Sequence, residues 1–290
     1  MPCVIGMDMG SARLKALTLR EGAVVSALEW PSGGNFAVTA EKARDTLLSK
    51  AGLCANEIDY IMAAGYGSAA IGFSQGKKTD IACHCAGIHA LLPSVRTIMD
   101  VGDLSSKVFQ VDQDGNLQNF LISGKCAGGS GKVLPVIARV LQLKIGEIGE
   151  LSLKSTNRVD FNTGCLVFAE SEAISRVAEG VAREDLLAGI HRALAAQLKS
   201  LCERIGLEPP LGLVGGGARD IGLVKALSEA TGMEIQVPPD SHMTAALGAA
   251  LLADQICASM LLEAISKDRL GFQNRVGLPP VNCIGISQIP

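Results

Sequence analysis

Two cysteines of the chain stand in segments of small residues that are suited to metal binding. Cys126 is followed by an Ala and a Gly-Gly-Ser-Gly run, and Cys165 directly follows Asn162-Thr163-Gly164. A metal-binding thiolate needs an uncrowded backbone, and the N–H groups of a following helix offset its charge. A helix-compatible stretch, 132–143, comes next to the first cysteine. Since a cubane iron–sulfur cluster takes four thiolates, two chains around a twofold axis would supply them.

The composition limits the class of protein. The 290 residues suffice for one large domain or two of ordinary size. Apolar residues make up 48% and aromatic residues 3%, with 33 glycines, which is typical of an α/β protein with many tight turns. The net charge of −3 favours neither nucleic acid nor an anionic membrane as a partner. We see no secretory signal and no apolar run of transmembrane length, and nine irregularly spaced cysteines indicate reduced thiols in the cytoplasm.

A strand–turn–strand motif occurs twice in the sequence. Its first copy contains Asp8, Gly10 and Lys15, and the second contains Asp100, Gly102 and Lys107 at the same spacing. A hairpin turn with an Asp, a Gly and a hydroxyl can face phosphate oxygens with its N–H groups while the carboxylate orders a hydrated Mg²⁺. The motif therefore predicts two phosphate-binding hairpins.

The remaining pattern alternates strands and helices. Leu211-Gly212-Leu213-Val214 predicts a strand that ends in a triple glycine, and the stretches 221–231 and 243–260 predict helices, the second rich in small residues. We expect one lobe over residues 1–95, completed by a helix at 243–265, a second lobe over 96–242, and an irregular tail at 266–290. Cys83 and Cys85 have one residue between them, and on a helix this spacing directs the two thiols apart. We therefore interpret both cysteines as packing residues rather than as metal ligands. We interpret Cys3, Cys54, Cys202, Cys257 and Cys283 as structural, and the four histidines, among them His84, as non-catalytic.

From about Ile5 to Ala253 the chain resembles the activators of 2-hydroxyacyl-CoA dehydratases and the ATPase subunits of benzoyl-CoA reductase. The most specific segments are Lys125-Cys126-Ala127 with the following glycines, Cys165 through Glu172, and Cys83-His84-Cys85-Ala86-Gly87. The resemblance implies the two-lobed α/β fold of actin, Hsp70 and sugar kinases, with a nucleotide cleft between the lobes. It also implies ATP-dependent transfer of a low-potential electron through one [4Fe–4S] cluster per dimer, held by Cys126 and Cys165 of each chain.

The resemblance further implies roles for single residues and partners. Asp8 and Asp100 would organise Mg²⁺ or the attacking water and are the expected catalytic residues. The cofactors would be the [4Fe–4S] cluster, ATP/ADP and Mg²⁺, and the expected cofactor-binding residues are Gly10, Ser11, Lys15, Gly102, Ser106, Gly128, Gly129, Ser130, Gly131, Gly215, Gly216 and Gly217. The partners would be a second copy or a related subunit, an iron–sulfur acyl-CoA dehydratase or reductase component, and a ferredoxin- or flavodoxin-type electron donor.

The second hairpin departs from the family pattern, which usually reads Asp-Ile-Gly-Gly-Gln-Asp-(Ser/Thr)-Lys. Here a Gly is replaced by Asp103, the Gln by Leu104 and the second Asp by Ser105. The change removes an amide and a carboxylate that can order water, so we expect ATP to bind and to turn over slowly. Two alternatives stay open, namely a sugar or acid kinase of the same superfamily and a nucleotide-binding regulatory subunit with little hydrolysis.

Overall fold

The computed structural model describes residues 2–124, 129–161 and 166–276. Ten strands form two five-stranded mixed sheets. The first sheet contains β1 (Cys3–Met9), β2 (Arg13–Arg20), β3 (Ala23–Pro31), β4 (Tyr60–Ala64) and β5 (Gly76–Lys77). The second contains β6 (Thr97–Val101), β7 (Ser106–Val111), β8 (Leu117–Ile122), β9 (Leu211–Val214) and β10 (Ile235–Gln236).

The two sheets have the same topology. The strand orders are β3-β2-β1-β4-β5 and β8-β7-β6-β9-β10. In each sheet the central strand pairs antiparallel with the strand that follows it and parallel with a later one, β4 or β9. The register places Asp8 opposite Lys15 and Asp100 opposite Lys107. The repeated hairpin in the sequence is therefore part of a repeated sheet.

Helices cover both sheets. They are α1 (Phe36–Ala51), α2 (Asp80–Leu91), α3 (Val133–Val140), α4 (Ile148–Ser152), α5 (Leu166–Ala178), α6 (Arg183–Ile205), α7 (Ile221–Thr231) and α8 (Thr244–Val276). Helix α1 packs on β2 and β3, whereas α8 packs on β1, β2 and β4. Helix α6 packs on β7, β8 and α7, and its buried leucines form much of the core beside the second sheet.

Helices α2 and α8 cross in direct backbone contact. A Cβ atom built on Gly248 would overlap the carbonyl oxygen of Cys83, and one built on Gly87 would overlap the carbonyl oxygen of Thr244. Of the neighbouring alanines of α8, Ala246 and Ala250 lie against Gly6 of β1, and Ala245, Ala246, Ala249 and Ala250 are all fully buried. The small residues of the sequence thus serve to bring two helix backbones together.

The last helix is longer than the sequence predicts. Helix α8 continues to Val276, so residues 266–276, expected to be irregular, are helical, and residues 277–290 lie outside the described part. Within the described residues, the segment Ser241–Glu263 is long and apolar enough, by length and composition alone, to span a membrane. The sequence analysis did not anticipate such a segment. A third of its most apolar window is buried inside the protein.

Candidate functional site

A cavity of about 870 Å³ lies between the two sheets, and both repeated hairpins line it. Of the predicted residues, the cavity brings together Asp8, Gly10, Ser11, Lys15, Asp100, Gly102, Gly131, Gly215, Gly216 and Gly217. These residues lie at the ends of β1 and β6, in the turns that follow these two strands, in β2, directly after β9 and just before α3. The described part of the cavity wall therefore joins the two halves of the repeat in one site.

The first half of the site is built around Asp8, which is buried at the end of β1. Its carboxylate accepts a hydrogen bond from Lys15 Nζ at 3.1 Å. Gly65, which follows β4, has a φ of +84°, and a Cβ there would overlap Asp8 Oδ1 and lie 2.7 Å from the Met9 carbonyl oxygen. Only glycine combines this backbone angle with so close an approach.

The second half repeats this arrangement around Asp100. Lys107 Nζ donates to Asp100 Oδ2 at 2.9 Å, and Gly215, again with a φ of +84°, leaves room for Asp100 Oδ1. Burial alone would raise the pKa of the Asp100 carboxyl, but Lys107 and His84 hold it below its ordinary value. Burial would likewise lower the pKa of Lys107, and the carboxylates of Asp100 and Asp80 raise it instead. Each aspartate is thus paired with its own lysine.

Helix α2 reaches from the first sheet to the second hairpin. Asp80, in its first turn, accepts a hydrogen bond from Lys107 Nζ at 2.7 Å. One turn later His84 is buried, with Nε2 at 3.8 Å from Asp100 Oδ1. Both residues line the cavity. Burial lowers the pKa of the His84 imidazole, which is therefore neutral near pH 7.

Two contacts connect the halves across the cavity. Ser11 Oγ, on the first hairpin, donates to Asp103 Oδ2 at 3.4 Å, so the residue that replaces the family's glycine faces the opposite hairpin. At another point of the wall Glu29 accepts hydrogen bonds from Arg13 Nε at 2.6 Å and Arg219 Nη1 at 3.1 Å. Although burial would raise the pKa of Glu29, Arg13 and the neighbouring cations lower it.

Some predicted residues lie elsewhere. Ser106 is fully buried, donates its backbone N–H to Ser123 Oγ at 3.0 Å, and does not line the cavity. Gly129 lines a separate cavity of about 280 Å³ beside Ser123 and Gln197. Ser130 is buried and is absent from the wall of the large cavity. Gly128, Cys126 and Cys165 lie outside the described residues, so their assignments stay predictions.

The sequence analysis assigned no role to several residues of the cavity wall, namely Glu29, Gly65, Asp80, His84, Lys107 and His242. The spacing of Lys107 within the repeated motif was a signal for its role. The others depend on contacts between distant segments. Cys83 and Cys85 are buried as expected, and burial raises the pKa of each thiol to about 12. Cys54, interpreted as structural, is exposed and precedes a short 3-10 helix, where its N–H donates to Glu57 Oε2 at 2.8 Å.

Two sheets of identical topology that face one cleft with a pair of Asp–Lys hairpins define a nucleotide-binding fold of the actin, Hsp70 and sugar-kinase type. The fold alone is shared with a ROK-family glucokinase from Streptomyces griseus, at a TM-score of 0.57 and 12% identity. The model of the BadF/BadG/BcrA/BcrD ATPase family matches residues 5–253, and the chain belongs to this family. The predicted family and fold class are thereby confirmed.

Individual relatives are similar over nearly their whole length. The 2-hydroxyisocaproyl-CoA dehydratase activator of Clostridioides difficile is 37% identical over 249 residues, which cover 86% of this chain and 94% of the relative. The activator of lactoyl-CoA dehydratase of Anaerotignum propionicum is also 37% identical, over 86% of this chain and 96% of its own. The solved structure of the Clostridium difficile activator with bound ADPNP has a TM-score of 0.86, 34% identity, and coverage of 90% of this chain and 97% of that one.

Proposed function

We propose that the cleft binds and hydrolyses Mg-ATP and that the protein is the ATP-dependent activator of an acyl-CoA dehydratase or a related reductase. The observation that carries this proposal is the pair of Asp–Lys–Gly arrangements that face one cavity. A Cβ atom on Gly10 would lie 2.8 Å from the Arg13 carbonyl oxygen, and one on Gly102 would lie 3.1 Å from the Ser105 carbonyl oxygen, so both turns are tightly closed. Such compact turns let phosphate groups approach backbone N–H groups.

The carboxylates of Asp8 and Asp100 suit Mg²⁺ in a nucleotide complex. Mg²⁺ usually keeps several waters and is held by one or two carboxylates together with substrate phosphates. Among the residues that the structure describes, no three His, Cys, Asp or Glu side chains are placed so that they could hold a metal ion by themselves. A site with two aspartates and a triphosphate fits this donor set. Lys15 would then turn from Asp8 toward the phosphates, whereas Lys107 would stay between Asp100 and Asp80.

The other part of the proposal concerns the cysteines. Helix α5 begins at Leu166, directly after Cys165, and α3 begins at Val133, shortly after Cys126. The two helices pack on each other, and Arg139 of α3 donates to Glu170 of α5 at 3.3 Å. Both cysteines thus precede the N-termini of two adjacent helices, where helix N–H groups favour negative charge. With Cys126 and Cys165 of two chains as ligands, a [4Fe–4S] cluster would supply one-electron transfer.

A hydrogen bond links the nucleotide cleft to this region. The N–H of Gly131 donates to the carbonyl oxygen of Gly102 at 2.8 Å. Gly102 belongs to the second phosphate hairpin, and Gly131 leads into α3. A movement of the hairpin on nucleotide exchange would therefore move the start of α3 and the segment of Cys126. Such coupling requires that the two arrangements differ in nucleotide affinity.

The partners implied are a second copy or a related subunit, the dehydratase or reductase component, and a ferredoxin- or flavodoxin-type donor, all in the cytoplasm. A regulatory subunit with little hydrolysis is the second candidate. It is favoured by Leu104, which is 55% exposed on the cavity wall at a position where the family has an amide that can order water. Tight Mg-ATP binding without phosphate release, with and without the partner enzyme, would select this candidate.

The test of the proposed function uses protein purified without oxygen. We expect brown protein with about four irons per dimer, as one cubane with four thiolates requires. Cys126→Ser and Cys165→Ser should each abolish the colour, whereas Cys54→Ser, at an exposed thiol, should retain it. Asp8→Asn should slow phosphate release and leave the cluster spectrum intact. Iron-free protein after anaerobic reconstitution would refute the redox part, and an unchanged rate in Asp8→Asn would refute the assigned site.

A further inference from the structure

We propose that His84, on α2, is a positioning residue for Asp100. In the nucleotide complex, the His84 imidazole donates a hydrogen bond from Nε2 to Asp100 Oδ1 and thereby orients the carboxylate. The inference rests on the proposed ATP hydrolysis and extends it to a residue outside the repeated hairpins. His84 lies on the cavity wall and is 5% exposed.

The two oxygens of Asp100 have different environments. Oδ2 accepts the hydrogen bond from Lys107 at 2.9 Å. Oδ1 lies where Gly215 leaves space, with His84 Nε2 at 3.8 Å. This distance exceeds that of a hydrogen bond by almost 1 Å. Catalytic hydrogen bonds are often long in the absence of substrate and shorten in the complex. Lys107 alone fixes one oxygen and leaves the carboxylate free to rotate, whereas a second donor on Oδ1 fixes its plane.

Helix α2 holds the imidazole in place from several sides. Asp80 anchors the first turn of the helix to Lys107 at 2.7 Å, so His84 and Lys107 approach Asp100 as one unit. The ring of Phe109 lies beside the imidazole at a centroid distance of 6.3 Å. On the opposite side, Gly87 lets α2 lie directly against the backbone of α8. The imidazole therefore has little freedom other than a small movement toward Asp100.

The neutral form of the imidazole suits this role. Asp100 is already paired with Lys107, so a second full positive charge would weaken its attraction for Mg²⁺. A neutral imidazole with its proton on Nε2 donates one hydrogen bond without adding charge. Nδ1 is buried and has no hydrogen-bond partner among the described residues.

The experiment compares three substitutions of His84. Gln places its amide near the position of Nε2, Asn places it near Nδ1, and Leu fills the space without a polar group. A hydrogen bond to a charged group is lost in Asn and Leu, so we expect kcat for phosphate release to fall about 10- to 100-fold in both. His84→Gln should stay within about threefold of the parent. KM for Mg-ATP should change less than about threefold throughout, because His84 does not touch the nucleotide in this arrangement.

A second readout does not need turnover. Mn²⁺ in place of Mg²⁺, with the non-hydrolysable analogue ADPNP, reports the orientation of Asp100 through the Mn²⁺ affinity measured by electron paramagnetic resonance. We expect weaker Mn²⁺ binding in His84→Leu and parental binding in His84→Gln. His89→Leu is the matched control, since His89 lies on the same helix and away from the cavity wall.

The outcomes separate the two proposals. If the parent protein releases no phosphate in the presence of its partner enzyme, the proposed hydrolysis is refuted. The Mn²⁺ affinities of the variants then still test whether His84 orients Asp100. If kcat falls equally in His84→Gln and His84→Leu, or falls in proportion to the loss of thermal stability of each variant, then His84 only fills space. Parental kcat and Mn²⁺ affinity in His84→Leu would also overturn the inference.

Discussion

Replacing Gly248 by Ala tests whether the crossing of α2 and α8 sets the geometry of the cleft. A Cβ at this position would overlap the Cys83 carbonyl oxygen and lie 2.6 Å from its carbon and 2.8 Å from the Gly87 nitrogen. Ordinary separations between such atoms are about 3.5 Å. The helices must therefore move apart by more than about 1 Å to relieve the overlap with the oxygen, and since the obstacle is backbone, no side-chain rotation relieves it.

The expected loss of stability follows from two opposing effects. Ala in place of a helical Gly contributes about 1 kcal/mol through helix propensity. Overpacking costs about 1–3 kcal/mol and more where the backbone must move. We expect a net loss of about 2 kcal/mol, which corresponds to a decrease in Tm of about 4–8 °C for a protein of this size. Because α2 bears Asp80 and His84, the affinity for Mg-ATP should fall as well.

Thermal unfolding and nucleotide titration of the purified variant measure both effects. Gly72→Ala is the control, because a Cβ there meets no atom within 4 Å. It should unfold at the parental temperature or slightly above. A Gly248→Ala protein that is as stable as the parent would show that the helix crossing tolerates a side chain, and the argument from backbone contact would fail.

Three more changes test the site and its surroundings. Leu104→Gln with Ser105→Asp should raise the rate of phosphate release of the isolated protein at saturating Mg-ATP, and a slower rate would mean that this chain orients water in its own way. Lys107→Met leaves two carboxylates without their lysine and should cost about 3–5 kcal/mol in urea unfolding, against less than about 1 kcal/mol for the exposed Lys199→Met. Asp185 accepts four hydrogen bonds that lower the pKa of its carboxyl to about 2. Its contribution to the free energy of unfolding is therefore present above about pH 4 and is lost as the pH falls toward 2. Asp185→Asn should lower the free energy of unfolding by about 1–3 kcal/mol at pH 7 and weaken its dependence on pH, as measured by unfolding between pH 7 and pH 2.

The parts of the fold that local sequence determines were predicted well. The spacing of Asp, Gly and Lys specifies a hairpin by itself, and both hairpins form with Asp opposite Lys. Helix α7 occupies Ile221–Thr231 as predicted, because Asp220 caps its start and Gly232 ends it in the left-handed conformation. The extent of α8 was underestimated, since residues 266–276 lack a clear apolar period.

The missed residues depend on contacts that no local pattern contains. Gly65 looks like an ordinary turn glycine until β4 is placed beside β1, where it leaves room for Asp8. His84 has no partner near it in sequence, and only the approach of α2 to the second hairpin brings it to Asp100. Arg219 and Glu29 are 190 residues apart and meet across the cleft. Sequence therefore indicates the phosphate-binding turns, whereas the residues that adjust them follow from tertiary structure.

The lysine within each hairpin affects how the chain folds before a nucleotide binds. Asp8 is paired with Lys15 and Asp100 with Lys107, so neither carboxylate is buried without a compensating charge. We therefore expect a newly synthesised chain to fold without bound ATP. Ligand at 100 times its Kd would then add only about 2.7 kcal/mol to the stability. The nucleotide would then act on a protein that is already folded.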